Sequence, residues 1–235
     1  MERVPSSGAV GVTIVDMSRP RRRAVAVAVG VSAACWLVFL ALAVVAATNA
    51  SPSIDQTMLS WIDDHRTSAM TAAMKLVTWL GSAALLYAAT LMAAVYWIRR
   101  DHDWRPGAML VASLAGSTVL YNIFKRIIER PRPPAPDALA AYAHWSFPSG
   151  HATQSMAFAA MLIVLISSRH RSISQPVVAC ACVLAVGASR VYLGAHWFTD
   201  VIGGYALGAA WASLVVAIGL TARWIDLPAK RSPMS

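Results

Sequence analysis

The sequence predicts an all-α fold, a single integral membrane bundle of six transmembrane helices, and three observations carry that expectation. Of the 235 residues 57% are hydrophobic and only 13% are charged, about half the charged share of an ordinary soluble domain. The apolar residues come in long blocks separated by short polar connectors, the pattern of spanning helices. Basic residues gather just beyond the ends of these blocks on alternate connectors, as they do in cytoplasmic loops of membrane proteins.

Taken in order, residues 1–23 are polar, basic and proline-containing without apolar periodicity, and are expected to form a disordered cytoplasmic tail. Residues 24–47 form an uncharged apolar run, too long for a signal-peptide core and long enough to cross a bilayer at about 1.5 Å per residue. The polar stretch 51–69 contains Asp55, Asp63 and Asp64, and its Trp61 and Ile62 suggest a short helix lying at the interface. Residues 70–98 read as one continuous second span, with Lys75 able to snorkel and with Tyr96 and Trp97 closing it before Arg99, Arg100 and Arg105. The third span, 107–124, is followed by KRIIERPRPPAP, whose prolines prevent continued helix. The fourth starts at Pro148 and runs to residue 168 before a basic turn at 169–171, and the fifth covers 176–193. After a turn at Gly194 and Ala195 the sixth occupies 197–222, leaving 224–235 as a second cytoplasmic tail and 24–223 as the membrane domain. In this scheme the 20 Lys and Arg divide 13 inside to 7 outside, which places both termini in the cytoplasm. Gly204 and Gly208 form a GxxxG on the last span, read as a packing feature.

A net charge of +9 raises the possibility of a nucleic-acid partner. Its distribution around span ends excludes that reading and makes it a topology signal. Cys35, Cys180 and Cys182 all sit inside apolar blocks, so no disulfide, zinc site or other metal site is expected, and no cofactor is implied.

Ionisable groups beside a bilayer are functional candidates by default. Three such groups fall on the outer side, around 125–133, 148–151 and 189–200. Lys125, Arg132 and Arg190 are fixed cations from separate segments which, converging, would hold a phosphoryl group whose charge spreads over three oxygens. Pro148 and Ser149 read as a helix start, so the free N–H groups around Ser149, Gly150 and His151 can face an anion. His196 and Asp200 are spaced i, i+4; on a helix the carboxylate would face the imidazole, fix its tautomer and leave the other nitrogen exposed as a nucleophile. His151, from another span, could protonate the leaving oxygen. None of these elements is specific alone, since capped helix starts, HxxxD spacings and Arg-Pro turns are common.

In combination they resemble the three-part signature of the type 2 phosphatidic acid phosphatase and vanadium haloperoxidase superfamily. Lysine, six residues and Arg-Pro, then Pro-Ser-Gly-His, then Ser-Arg, five residues, His, three residues and Asp are matched here. The residues concerned are Lys125, Arg132, Pro133, Pro148, Ser149, Gly150, His151, Ser189, Arg190, His196 and Asp200. The resemblance implies that His196 is the nucleophile that becomes a phosphohistidine, Asp200 its orienter and His151 the acid, with Lys125, Arg132, Ser149, Gly150 and Arg190 binding phosphate. It also implies a metal-independent membrane enzyme acting on a lipid phosphate, and the basic turns at 99–105 and 169–171 put the three motifs on the extracytoplasmic face. Polyprenyl diphosphate is the first expected substrate, with phosphatidylglycerophosphate or phosphatidate as alternative. A non-enzymatic lipid transporter is the remote reading, disfavoured because the cations gather at one face and not at the midplane. A vanadate haloperoxidase is disfavoured by the membrane architecture. His65, His102, His144 and His170 match no motif position, and His144, with Tyr142 and Trp145, is placed at the rim of the site.

Overall fold

A computed structural model describes residues 18–48, 52–134, 145–168 and 174–225. Tyr142, His144, the basic turn 169–171 and most of both expected tails lie outside these residues. In chain order the helices are α1 (Arg19–Ala47), α2 (Ser53–His65), α3 (Ser68–Trp79), α4 (Ala83–Asp101), α5 (Arg105–Ile128), α6 (Gly150–Ser167), α7 (Ser174–Tyr192) and α8 (Phe198–Thr221). Among the described residues, six units are long and apolar enough to cross a bilayer: α1, α3 with α4, α5, α6, α7 and α8.

Helix α8 is the centre of the bundle, packed between α1 and α6, with 56% of its apolar window buried against 11% for α1. Gly204 and Gly208 make this possible. A Cβ on Gly204 would stand 2.7 Å from the carbonyl oxygen of Ser149, and one on Gly208 2.4 Å from that of Thr153. The GxxxG is therefore the seam that brings α8 against the start of α6.

The second span is not one helix, contrary to the continuous run expected from its hydropathy. It tightens at Thr78–Ser82 as Gly81 N–H bonds the Thr78 carbonyl, and it restarts at α4, where the Ser82 hydroxyl accepts from Leu85 N–H. The break lets α3 lie on α7 while α4 lies on α5. Gly81 passes so near the bundle that an added Cβ would meet Val186 at 2.4 Å and His151 at 3.3 Å.

Both ends differ from the expected tails. Helix α1 begins at Arg19, not residue 24, because Pro20 is tolerated in a first turn and Arg21 reaches the Leu220 carbonyl at 2.7 Å, covering the end of α8. At the other end Trp224 packs edge-on against Trp104, and Ile225 is buried with Trp97, Met109 and Leu220, so the bundle extends to residue 225. Helix α2 is the short helix expected after the first span. Its Ile62 is buried and Trp61 exposed, and the nearby Thr67 N–H bonds the Tyr192 hydroxyl.

Candidate active site

Helices α5 and α7 finish, and α6 and α8 begin, at the same end of the bundle. That alternation gathers the residues singled out in the sequence: Lys125 in the last turn of α5, Ser149, Gly150 and His151 at the start of α6, Arg190 in the last turn of α7, and His196 and Asp200 at the start of α8.

His196 and Asp200 meet, but not as neighbours on one helix. His196 lies in the connection before α8, whose N-cap is Trp197. The turn is set by Gly194 at φ 67°, a left-handed conformation suited to glycine, and by the Ala195 and His196 N–H groups, which both bond the Arg190 carbonyl. Asp200, in the first turn, folds back to accept the Trp197 N–H at 2.9 Å, and so presents Oδ2 to His196 Nδ1 at 3.5 Å. The carboxylate thus caps its helix and addresses the imidazole at once. His196 is 4% exposed. Burial pulls its pKa down from 6.5 to about 3, with Lys125 and Arg190 pulling the same way and Asp200 opposing. The ring is neutral at physiological pH. A proton on Nδ1, the side facing Asp200, leaves the Nε2 lone pair available.

The cations are held by carbonyls and hydroxyls around this pair. Lys125 Nζ donates to the carbonyls of Trp145 (2.6 Å) and Ser146 (3.2 Å). Arg132 donates to the Ala195 carbonyl beside His196 and reaches that of Trp145 at 3.4 Å. Arg190 donates to the Thr78 hydroxyl at 2.8 Å, so the break in the second span positions a site cation. His151 lies within electrostatic reach of both Arg190 and Lys125. The Ser149 N–H bonds the Asp200 carbonyl at 3.0 Å, locking the starts of α6 and α8 together. Its hydroxyl is fully buried with no hydrogen-bond partner in the protein. Such a group is rare unless it serves a ligand. Gly150 lets the helix start approach Tyr121, whose ring an added Cβ would meet at 3.2 Å.

Every site residue expected from the sequence is at this end of the bundle. Ser189 differs in kind: its hydroxyl bonds the Val186 carbonyl at 2.6 Å within α7 and serves the helix. Sequence reasoning missed Arg130, Asp55, Ser146, Thr199 and Thr78. Arg130, 2% exposed, pairs with Asp200 at 2.5 Å and with Asp55 at 2.8 Å, and its guanidinium lies over the Trp197 ring at 5.5 Å. Ser146 donates to Asp200 Oδ2. The one available signal was an aspartate in the first turn of α2, and nothing local to it announced a partner 75 residues away.

Among the described residues no group of three or more His, Cys, Asp or Glu could hold a metal ion. What the arrangement can do is bind a compact anion against an imidazole nucleophile, with a second imidazole nearby as acid.

Residues 106–224 match the family model described as PAP2 superfamily. Phosphatidylglycerophosphatase B of Bacillus subtilis (strain 168) is 31% identical over 182 residues, spanning 74% of this chain and 87% of that protein. A decaprenylphosphoryl-5-phosphoribose phosphatase of Mycobacterium tuberculosis is 36% identical over 136 residues, 55% of this chain and 68% of that one. The crystal structure of a transmembrane PAP2 type phosphatidylglycerolphosphate phosphatase from Bacillus subtilis superposes with a TM-score of 0.72 at 28% identity, covering 80% of this chain and 94% of that chain.

Proposed function

The chain is an integral membrane protein that belongs to the PAP2 superfamily, and on that premise we propose that it is a metal-independent lipid phosphatase working through a phosphohistidine intermediate. The observation that carries this reading is the buried, neutral His196, backed by Asp200 and within electrostatic reach of Lys125 and Arg190, at the same end of the bundle as the unpartnered Ser149 hydroxyl. His196 Nε2 attacks phosphorus as the bond to the leaving oxygen breaks, and His151 delivers a proton to that oxygen. The trigonal phosphoryl oxygens then face Lys125, Arg132, Arg190, Ser149 and the first N–H groups of α6. Asp200 stabilises the imidazole as it becomes cationic. In the second half His151 takes a proton from water, whose oxygen displaces His196 and releases phosphate. Three fixed cations supply the charge stabilisation that a divalent metal would otherwise give.

As substrate we propose a phosphate monoester carried by a membrane lipid. Support comes from the relatives, one named for phosphatidylglycerophosphate and one for decaprenylphosphoryl-5-phosphoribose. The longer match makes phosphatidylglycerophosphate the first substrate to test. Polyprenyl diphosphate, expected first from the sequence, becomes the second reading, favoured by the relative that acts on a decaprenyl-linked phosphate. The basic turns at Arg99, Arg100 and Arg105 support a site on the extracytoplasmic face with both termini inside.

The test is phosphate release from phosphatidylglycerophosphate, phosphatidate and polyprenyl diphosphate in mixed micelles, in chelator, by wild type and His196→Ala. Release by wild type alone, inhibited by vanadate, is the expected result. No release from any of the lipids, or equal release by His196→Ala, overturns the proposal. For the side of the membrane, a cysteine introduced at Ala138 should be labelled by an impermeant thiol reagent in intact cells. Labelling only after permeabilisation would reverse the orientation.

A further inference from the structure

Asp200 is not an isolated orienting carboxylate. It is one end of a buried chain of charges that runs out of the membrane bundle into α2. Arg130 Nη1 donates to Asp200 Oδ1 at 2.5 Å, and Arg130 Nη2 donates to Asp55 Oδ2 at 2.8 Å. Thr199 ties the pair together: its hydroxyl accepts from Arg130 at 2.8 Å and donates to Asp55 Oδ2 at 2.7 Å, while its N–H bonds Asp55 Oδ1 at 2.9 Å. Asp55, Arg130 and Asp200 are 1%, 2% and 0% exposed.

Stability alone is a weak reason for this arrangement. Three ionised groups lose their hydration here, and buried ion pairs seldom recover more than that loss. Capping the start of α8, which Asp55 does through the Thr199 N–H, requires only one carboxylate and no arginine. Arg130 bonded to Asp200 alone would also work against the site, because a full positive charge on Oδ1 weakens the same carboxylate as a partner for His196 on Oδ2. The second carboxylate resolves this conflict. With Asp55 sharing the guanidinium, the cluster of two carboxylates and one arginine keeps a net negative charge, and that charge faces the imidazole.

We propose that Asp55 and Arg130 are positioning residues for the nucleophile. Arg130 fixes the direction of the Asp200 carboxylate, and Asp55 draws off enough of Arg130's charge for Asp200 to stabilise the cationic imidazole that forms when His196 attacks. Helix α2, the segment between the first two spans, is by this account part of the catalytic apparatus and not only a connector. The inference rests on the phosphohistidine reading above.

Asp55→Asn keeps the shape while removing the charge, and it turns one of the two acceptor oxygens that face Arg130 and Thr199 into a donor. The expected result is a fall in kcat of about tenfold or more, the size that outer hydrogen-bond partners of functional histidines carry. KM and the vanadate inhibition constant should stay within about twofold, since the phosphate-binding groups are untouched. Thr199→Val, which removes the bridging hydroxyl, should lower kcat in the same direction, and Asp55→Glu should restore part of the loss. Rapid-quench trapping of the phosphoenzyme should show slower formation in Asp55→Asn. Wild-type kcat in both Asp55→Asn and Thr199→Val overturns the proposal, as does a loss in which kcat, vanadate affinity and thermal midpoint fall together, the mark of scaffolding alone. If Asp55→Asn does not fold, Thr199→Val decides by the same criteria. A wild-type protein that releases no lipid phosphate overturns the phosphatase reading and this one with it, whereas an active wild type beside unaffected variants overturns only the role of α2.

Discussion

Ser149→Ala separates stability from activity, because the Ser149 hydroxyl is fully buried and has no partner in the protein. A buried hydroxyl without a hydrogen bond is destabilising by about 1–3 kcal/mol. Replacing it by a methyl hydrogen removes that penalty and opens only a small space, so the variant should be as stable as wild type or more so. At about 2–4 °C per kcal/mol for a chain of this length, the thermal midpoint in detergent should rise by a few degrees or stay level. Activity should move the other way. In the proposed site the hydroxyl would donate to a phosphoryl oxygen, and loss of one donor aimed at developing charge lowers turnover by about 100-fold or more. Vanadate distinguishes the two effects further: it should raise the midpoint of wild type by occupying the phosphate site, and raise that of Ser149→Ala much less. The assay is phosphate release alongside thermal unfolding with and without vanadate. If Ser149→Ala keeps wild-type turnover, or loses stability and activity together, the hydroxyl is a packing group and its assignment to phosphate is wrong.

His196→Ala and His151→Ala should each abolish turnover and Asp200→Asn should weaken it; the His196→Ala/Asp200→Asn double variant should be no slower than His196→Ala, since the residues act as one unit. Chelator should leave the rate unchanged, and loss of activity restored specifically by magnesium would refute metal independence. His196 titrates at about 3 in the folded protein against 6.5 unfolded, so between these values the unfolded chain binds the extra proton. Its contribution to stability is therefore complete above about pH 6.5 and declines as pH falls toward 3. Thermal midpoints should fall less across that window in His196→Gln than in wild type; equal slopes would show that His196 is not the group being protonated. Gly81→Ala places a methyl 2.4 Å from Val186 and 3.3 Å from His151, and should reduce both thermal midpoint and kcat; a variant with wild-type values would show that the break in the second span has room to spare.

The spans and the gathering of the motifs were legible in the sequence because each rests on a local rule. Apolar length fixes a spanning helix, and strict alternation of direction brings the end of α5, the start of α6, the end of α7 and the start of α8 to one side whatever their packing. That is why the sequence alone places Lys125, Ser149, His151, Arg190 and His196 together. The i, i+4 spacing of His196 and Asp200 gave the right partners for the wrong reason, since HxxxD reads the same on a helix as across a helix start. What the tertiary structure alone decided is long-range. The break at Gly81 follows from the second span having to lie on α7 in one half and on α5 in the other, a demand invisible to hydropathy. The pairing of Arg130 with Asp55 and Asp200 joins residues 75 and 70 positions apart. A charged side chain carries no record of its partner in its own neighbourhood; only packing, by removing water from all three groups at once, makes their pairing obligatory.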